Sequence, residues 1–505
     1  MGFNDLKKPS TRINGADTVY VSGPASTFGE ILVSQFDPVA QGDFVYNVND
    51  QVFTNIQFAG GSLTTSDGMA VLSSGTDPSG SAVVQLRRGL KYKSGQGSLM
   101  RGTAMFDTPD AGNAQFLGLG NAECGYFIGY FGTNFGILHS EDGSREIRAL
   151  SVTTGATTGN VTVTLDGDSV VVPVTGGSDI TQTAYQLSLG DYTQVGNGGW
   201  LAGVIGNTVY FLSARSGPAS GAYSVAGSSI VGTFSQVKAG EAQTNTFIPS
   251  GSFNIDKLDG TGPSGMVLDP FRGNVYQIGF QYLGFGNAKF YAEDPNSGNP
   301  FLFHEIKNAN SRTTPVLKNP NVSVLATSAN IGGTTSVDLK TASLAAFTEG
   351  KIRKLDPKFS HSVSFSGVNK SAYVPLLLLK ANRVYQGISS FGEFDLLKIG
   401  ASNEVNNKTL SIALFLDVVV TGDVNFQHVD EENSIVSYAQ VNPTTQTLVN
   451  PTSPIFETLV GSASSKTLDI SDLDFVFGAG QTVVVAIKTT AALTGQVVIN
   501  WFEQQ

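Results

Sequence analysis

Short runs of β-branched and aromatic residues, closed off on both sides by Gly, Pro, Asn or Asp, recur along most of this chain. Thr18-Val-Tyr-Val21, Glu30-Ile-Leu-Val-Ser34 and Asp43-Phe-Val-Tyr-Asn47 set the pattern, and Phe and Tyr recur between glycines from Gly102 to Leu138. Side chains of this kind suit a pleated, half-buried surface, and the residues that bound them favour turns. With 59 glycines in 505 residues, tight turns are affordable everywhere. The pattern predicts a mainly β chain, built as β-sandwiches or jelly rolls. The length is too great for one ordinary core and implies roughly two to four domains.

Charge narrows the partners. The net charge is −11 and only 14% of residues are charged, while 40% are hydrophobic. Phosphate backbones are bound by clustered Lys and Arg, so no nucleic-acid partner is expected. The two basic runs, Arg87-Arg88 with Lys91 and Lys93, and Lys351 with Arg353-Lys354, read as solvated faces. Cys124 is the one cysteine; it allows no internal disulfide and reads as core packing in an aromatic strand. The start of the chain lacks the apolar core of a signal peptide. The longest apolar runs, such as Tyr373–Leu379, are too short to span a bilayer, so no membrane insertion is expected.

The pattern divides the chain into three units. Residues 1–145 together with 241–330 form a discontinuous β-sandwich core. Residues 146–240 form an inserted ββαβ module, and 331–505 form a C-terminal β-sandwich. Within the module, Ile180, Ala184 and Leu187 fall on one helical face after the capping candidates Ser178 and Asp179, with Gly190 as a stop. Phe116–Glu123 and Tyr282–Lys289 share an aromatic-Leu-Gly-x-Gly-Asn-Ala pattern, which suggests equivalent strands in facing sheets. In the last unit, Leu410–Val420 is almost wholly apolar and should be covered on both faces. Trp501-Phe502 should tie the final strand into a sheet.

Chemistry is sparse. His139, His304, His361 and His428 show no metal spacing, and His304 and Glu305 point to opposite faces of a strand. Asp430-Glu431-Glu432 reads as a solvated loop. Asp166 and Asp168 resemble a hydrolytic carboxylate pair, but Asp-Gly between two alternating runs is a hairpin tip. Gly118-Leu-Gly120 and Gly284-Phe-Gly286 lack the third glycine and the helix of a dinucleotide site. No catalytic, cofactor-binding or metal-binding residue is assigned. The most distinctive segment runs from Phe253 to Gly265. Asp256, Asp259, Gly260, Gly262, Pro263 and Gly265 make it a rigid structural turn, with the glycines free to adopt positive φ.

Several stretches together carry a resemblance. They are Phe28-Gly-Glu-Ile-Leu, Asp43–Asn49, Tyr92–Gly97, Gly125–Tyr130, Asp256–Gly265 with Leu268-Asp-Pro270, Gln281–Gly286, and His304 with Asn308-Ala-Asn310. In these, residues 28–330 resemble structural proteins of tailed bacteriophages of the head-fibre, tail or appendage type, with relatives in large algal viruses. The resemblance implies a non-enzymatic virion component, assembled in the host cytoplasm with other virion proteins; a homo-oligomer is expected, taken as a trimer because fibres and spikes often use threefold symmetry. Two other functions remain open from the residues. One is a carbohydrate-binding adhesin presenting Tyr192, Trp200 and Tyr223 to a host-surface glycan. The other is a glycan-degrading tailspike, which needs two carboxylates across a groove.

Overall fold

The computed structural model describes residues 10–13, 17–20 and 35–504, apart from Ser94, Ser178, Asn197 and 351–355. The expected strand Glu30–Ser34, the stretch Phe28–Leu32, the alternative cap Ser178 and the run Lys351–Lys354 lie outside the described residues. The chain is nearly all β, with antiparallel pairing throughout its named strands. The expected strand Asp43–Asn47 is displaced towards the N-terminus. The strand is Phe36–Asp43, and Phe44 turns inward to stack on Phe53 at 4.6 Å.

The first sandwich has eight principal strands. In chain order they are Phe36–Asp43, Ser81–Leu86, Ser98–Phe106, Asn113–Gly120, Gly125–Phe131, Asn274–Phe280, Ser323–Asn330 and Ser343–Glu349. One sheet joins the first, eighth, third and sixth of these; the facing sheet joins the second, seventh, fourth and fifth. That order is a jelly roll, two interlocked Greek keys. Phe106, Tyr126, Ile128, Tyr276, Ile278 and Phe290 fill the space between the sheets. Asp338–Thr341 and Ser343–Glu349 pair with Met69–Ser73 and Ser98–Phe106, so the first sandwich continues to Glu349, past the expected boundary at Asn330.

The last unit repeats this order. Its strands are Lys358–Val368, Val374–Ala381, Glu393–Asn403, Leu410–Leu416, Phe456–Val460, Ser464–Asp469, Thr482–Thr489 and Leu493–Gln504. Again the sheets run first-eighth-third-sixth and second-seventh-fourth-fifth. The chain therefore carries two jelly rolls in succession. Trp501 is fully buried in the second core, its indole N–H donating to Glu503 Oε1 at 2.8 Å.

Between the fifth and sixth strands of the first roll the chain leaves for the inserted module. It comprises two small sheets, one containing Arg145–Thr154 and Val231–Lys238, the other Gly159–Leu165 and Asp168–Val174, with the helix Ile180–Ser188 packed against them. Asp179 caps the helix, its carboxylate accepting the N–H groups of Thr181 and Gln182. Ala184 and Leu187 are buried as their spacing requires.

The module docks on the second roll. Strands there alternate between two cores, as a period of two demands. Leu410, Ile412 and Leu414 face inward between the sheets of the roll, whereas Ala413 and Phe415 face the module. Val483, Val485 and Ile487 alternate likewise with Val484 and Ala486. This is why Leu410–Leu416 is apolar at nearly every position.

The repeated aromatic-Leu-Gly pattern does not mark equivalent strands. Phe116–Gly120 lies in a central strand, but Tyr282–Gly286 is the turn leaving Asn274–Phe280, with Leu283 and Gly284 at positive φ. The basic run at Arg87 is also not a solvated face. It lies in the seam between the rolls, where Gly89 N–H donates to Glu393 Oε1 at 2.9 Å and Lys91 bonds the Phe391 carbonyl.

Candidate functional site

The central segment is a turn locked by one carboxylate. Asp256 is 1% exposed. It accepts the Leu258 N–H through Oδ1 and both the N–H and the hydroxyl of Ser264 through Oδ2, each at 2.8 Å. Burial alone would raise its pKa, but these bonds outweigh it and hold the carboxyl below its ordinary value. Asp259 accepts Thr261 N–H and hydroxyl at 2.9 and 2.6 Å. Gly260 and Gly265 take φ of +86° and +65°. Gly262 does not; there a Cβ would land on the Asp256 carboxyl, so its role is close approach. Leu258 adopts a φ of +59°, and its side chain, with Phe253 and Met266, joins the first core.

Asp166 and Asp168 sit at a hairpin tip, with Leu165 opposite Asp168. Asp166 accepts Gly221 N–H at 2.7 Å and Asp168 accepts Gly196 N–H at 3.1 Å, so both carboxylates hold neighbouring loops. Of the three rings expected to form a glycan platform, Tyr192 and Trp200 are 1% and 2% exposed. Tyr223 has Arg148 over its face at 4.2 Å and Trp200 edge-on at 6.0 Å. The module needs Tyr192 and Trp200 for its own core, which leaves neither ring open to a sugar, while Tyr223 is half-buried.

The remaining polar candidates are likewise structural. His304 Nδ1 accepts Asn254 N–H at 3.1 Å, and His139 stacks on Tyr126 at 4.6 Å; burial lowers both pKa values. Burial pushes the Cys124 thiol up to about 12. Asp430 caps its own loop through Glu432 and Asn433 N–H. Among the described residues, no three His, Cys, Asp or Glu side chains stand together as metal ligands.

What the molecule does present is an apolar groove of about 490 Å³ where the module meets the second roll. One wall is the strand Asp168–Val174, at the edge of its sheet, with Val171 57% exposed. Leu189 at the helix end and Val449 from the second roll complete the apolar rim. Tyr185 forms the floor, its hydroxyl accepting Val420 N–H at 3.2 Å. Thr181 donates to Asp423 at 2.9 Å beside it. Alternation made Val171 visible as a strand residue, but its edge position depends on pairing that sequence does not reveal.

No protein-family model and no curated protein matches the chain. Among solved structures, it is similar to a protein from work on endo-acting O-glycanases with which human gut bacteria initiate mucin breakdown. The identity is 8% and the TM-score 0.28, over 61% of this chain and 98% of that one. It is also similar to an archaeal virus protein described by a triple jelly-roll fold and turret assembly, at 10% identity and a TM-score of 0.16, over 94% of this chain and 98% of the other. Likenesses this slight carry nothing over to the present chain.

Proposed function

We propose that this chain is a non-enzymatic structural subunit of a virus particle, one that assembles with copies of itself and with other virion proteins. The observation that carries the reading is the pair of successive jelly rolls, an architecture used for capsid and lectin domains. Two further features support it. The carboxylates of Asp166, Asp168, Asp256 and Asp259 hold turns and loops, and the imidazoles of His139 and His304 pack in the first core. The groove beside Val171, Leu189 and Val449 leaves apolar side chains and a sheet edge where a neighbouring subunit would cover them. The resemblance of residues 28–330 to tailed-phage structural proteins agrees with this and favours a fibre, tail or capsid-surface position. The burial of Tyr192 and Trp200 removes the support for an adhesin that uses those rings. The test is to purify particles from an infected culture on a density gradient and identify their proteins by mass spectrometry. A fixed copy number in intact particles is expected; presence only in the soluble lysate refutes the reading.

A further inference from the structure

A second cavity, of about 170 Å³, opens where all three units meet. Arg87 and Lys91 reach it from the first roll, Arg145 from the first strand of the module, and Arg383 and Glu393 from the second roll. Four cations thus line it against a single carboxylate among the described residues, and Lys91 already pairs with that carboxylate at 3.3 Å.

The charges behind the wall do not correct the imbalance. Glu123 accepts Arg145 N–H and the Ser389 hydroxyl, Asp417 accepts Thr482 N–H at 2.8 Å, and Lys380 is itself buried. Among the described residues around this cavity, these five cations face three carboxylates, an excess of positive charge in a chain that is net acidic. Arg145 is 6% exposed, and its Nε donates to the Ser213 carbonyl at 2.5 Å. Arg383 is the outlier. Its Nε is fully covered and has no hydrogen-bond partner. Its guanidinium lies where a side chain at Gly480 would stand, and Gly480 has a φ of +92°. Burial lowers the pKa of Arg383 and of Arg145; the attraction of Asp417 and of Glu123 offsets only part of this, and the repulsion of Arg87 on Arg383 and of Arg383 on Arg145 adds to it.

Like charges gathered around one cavity repel each other and lose hydration, and a bound anion relieves both costs. A planar fork of donors matches a tetrahedral oxyanion in geometry and charge. At about 30 Å³ per water in the liquid, the cavity has room for such an ion. We propose that this cavity binds a tetrahedral oxyanion of the inorganic-phosphate class, and that the ion ties the two rolls and the module together. The site is independent of the function proposed above.

The experiment titrates inorganic phosphate into the full chain, dialysed into chloride of matched ionic strength, by calorimetry, and repeats it with Arg383→Gln. Saturable binding of about one phosphate per chain is expected for the parent protein. Losing a charge-assisted bond should weaken binding by about tenfold or more in Arg383→Gln. Phosphate should also raise the unfolding temperature of the parent by more than that of the variant. The proposal is overturned by no saturable binding to the parent protein, or by equal affinity in Arg383→Gln. A thermal shift of the same size in both proteins overturns it too, since phosphate also stabilises by exclusion from the surface. Should Arg383→Gln not fold, Arg383→Lys keeps the charge and removes the fork, and weaker binding by that variant is the expected result; unchanged binding refutes it.

Discussion

Asp256 and Gly262 should behave as one unit when the central turn is perturbed. Asp256→Ala removes an acceptor that is 1% exposed and holds three donors at 2.8 Å. Each bond to a charged acceptor is worth about 1.5–3 kcal/mol. The three are not additive, and the freed donors partly rehydrate, so a loss of about 3–4 kcal/mol in local stability is expected. Gly262→Ala should cost nearly as much for a different reason. Its φ is unremarkable, but the new methyl occupies the place of the Asp256 carboxyl and must expel it from the same bonds. In the double variant the carboxyl is gone and the methyl has room, so its loss should match Asp256→Ala alone. The coupling is then about 3 kcal/mol, far above the ~0.5 kcal/mol within which independent sites add. Gly265→Ala is the control. It has φ +65° and nothing within 4 Å of an added Cβ, so its strain of about 1–3 kcal/mol should add to that of Asp256→Ala. Native-state proteolysis within residues 253–273 measures the local opening free energy when opening is fast relative to cleavage. Additive losses for Asp256→Ala and Gly262→Ala would show that the carboxyl is not what excludes a side chain at position 262.

Trp501→Ala should destabilise the second roll by about 3–5 kcal/mol, the cost of deleting a fully buried aromatic, read as a lowered second-roll transition in scanning calorimetry. Phe415→Asp places a charge between the module and the second roll, and limited proteolysis should then release the module while the core between that roll's sheets, lined by Leu414 and Ile412, stays protected. Burial holds His139 and His304 below their ordinary pKa, so between the folded and unfolded values the folded state binds fewer protons. Stability is therefore full above about pH 6.5 and declines as the pH falls towards the folded values; His304→Asn should flatten the melting temperature between pH 7 and 5. With its pKa near 12, the Cys124 thiol should resist a thiol-specific reagent at pH 8 in the native protein and react at once in denaturant.

Local signals were legible and non-local ones were not. The helix at Ile180–Ser188 could be read from three apolar positions and one capping carboxylate, because both effects act within a single turn or two. The hairpin at Asp166-Gly167 could be read because both residues must adopt positive φ there, which they do at +53° and +92°. The near-continuous apolarity of Leu410–Leu416 announced two covered faces, though not that an inserted module supplies the second cover. Strand pairing was hidden. Asp338–Thr341 joins the first roll by lying against Met69–Ser73, and nothing in either stretch specifies the other. For the same reason Arg87 and Lys91 read as surface, although the second roll lies against them. The aromatic candidates failed for want of burial information: a Trp that fills a core and one that stacks on a sugar have the same neighbours in sequence.

The way the cores are shared decides how the two rolls sit relative to each other. The module belongs covalently to the first roll, inserted between its fifth and sixth strands, yet its apolar core runs without interruption into the outer face of the second roll. Phe415, Phe426, Val484 and Ala486 of that face would otherwise meet water, at about 1.5–3 kcal/mol for each large side chain. The module therefore acts as a strap. It holds the second roll against the first independently of the connecting segment that follows Glu349, and the seam at Gly89 and Glu393 adds a direct polar contact. Rolls joined only by a linker would swing, since contacts between domains of one chain are ordinarily small and mobile. A strap with a common core replaces that motion with one fixed relation between the two rolls and so fixes the orientation of the groove beside Val171, which the symmetric assembly proposed above would require.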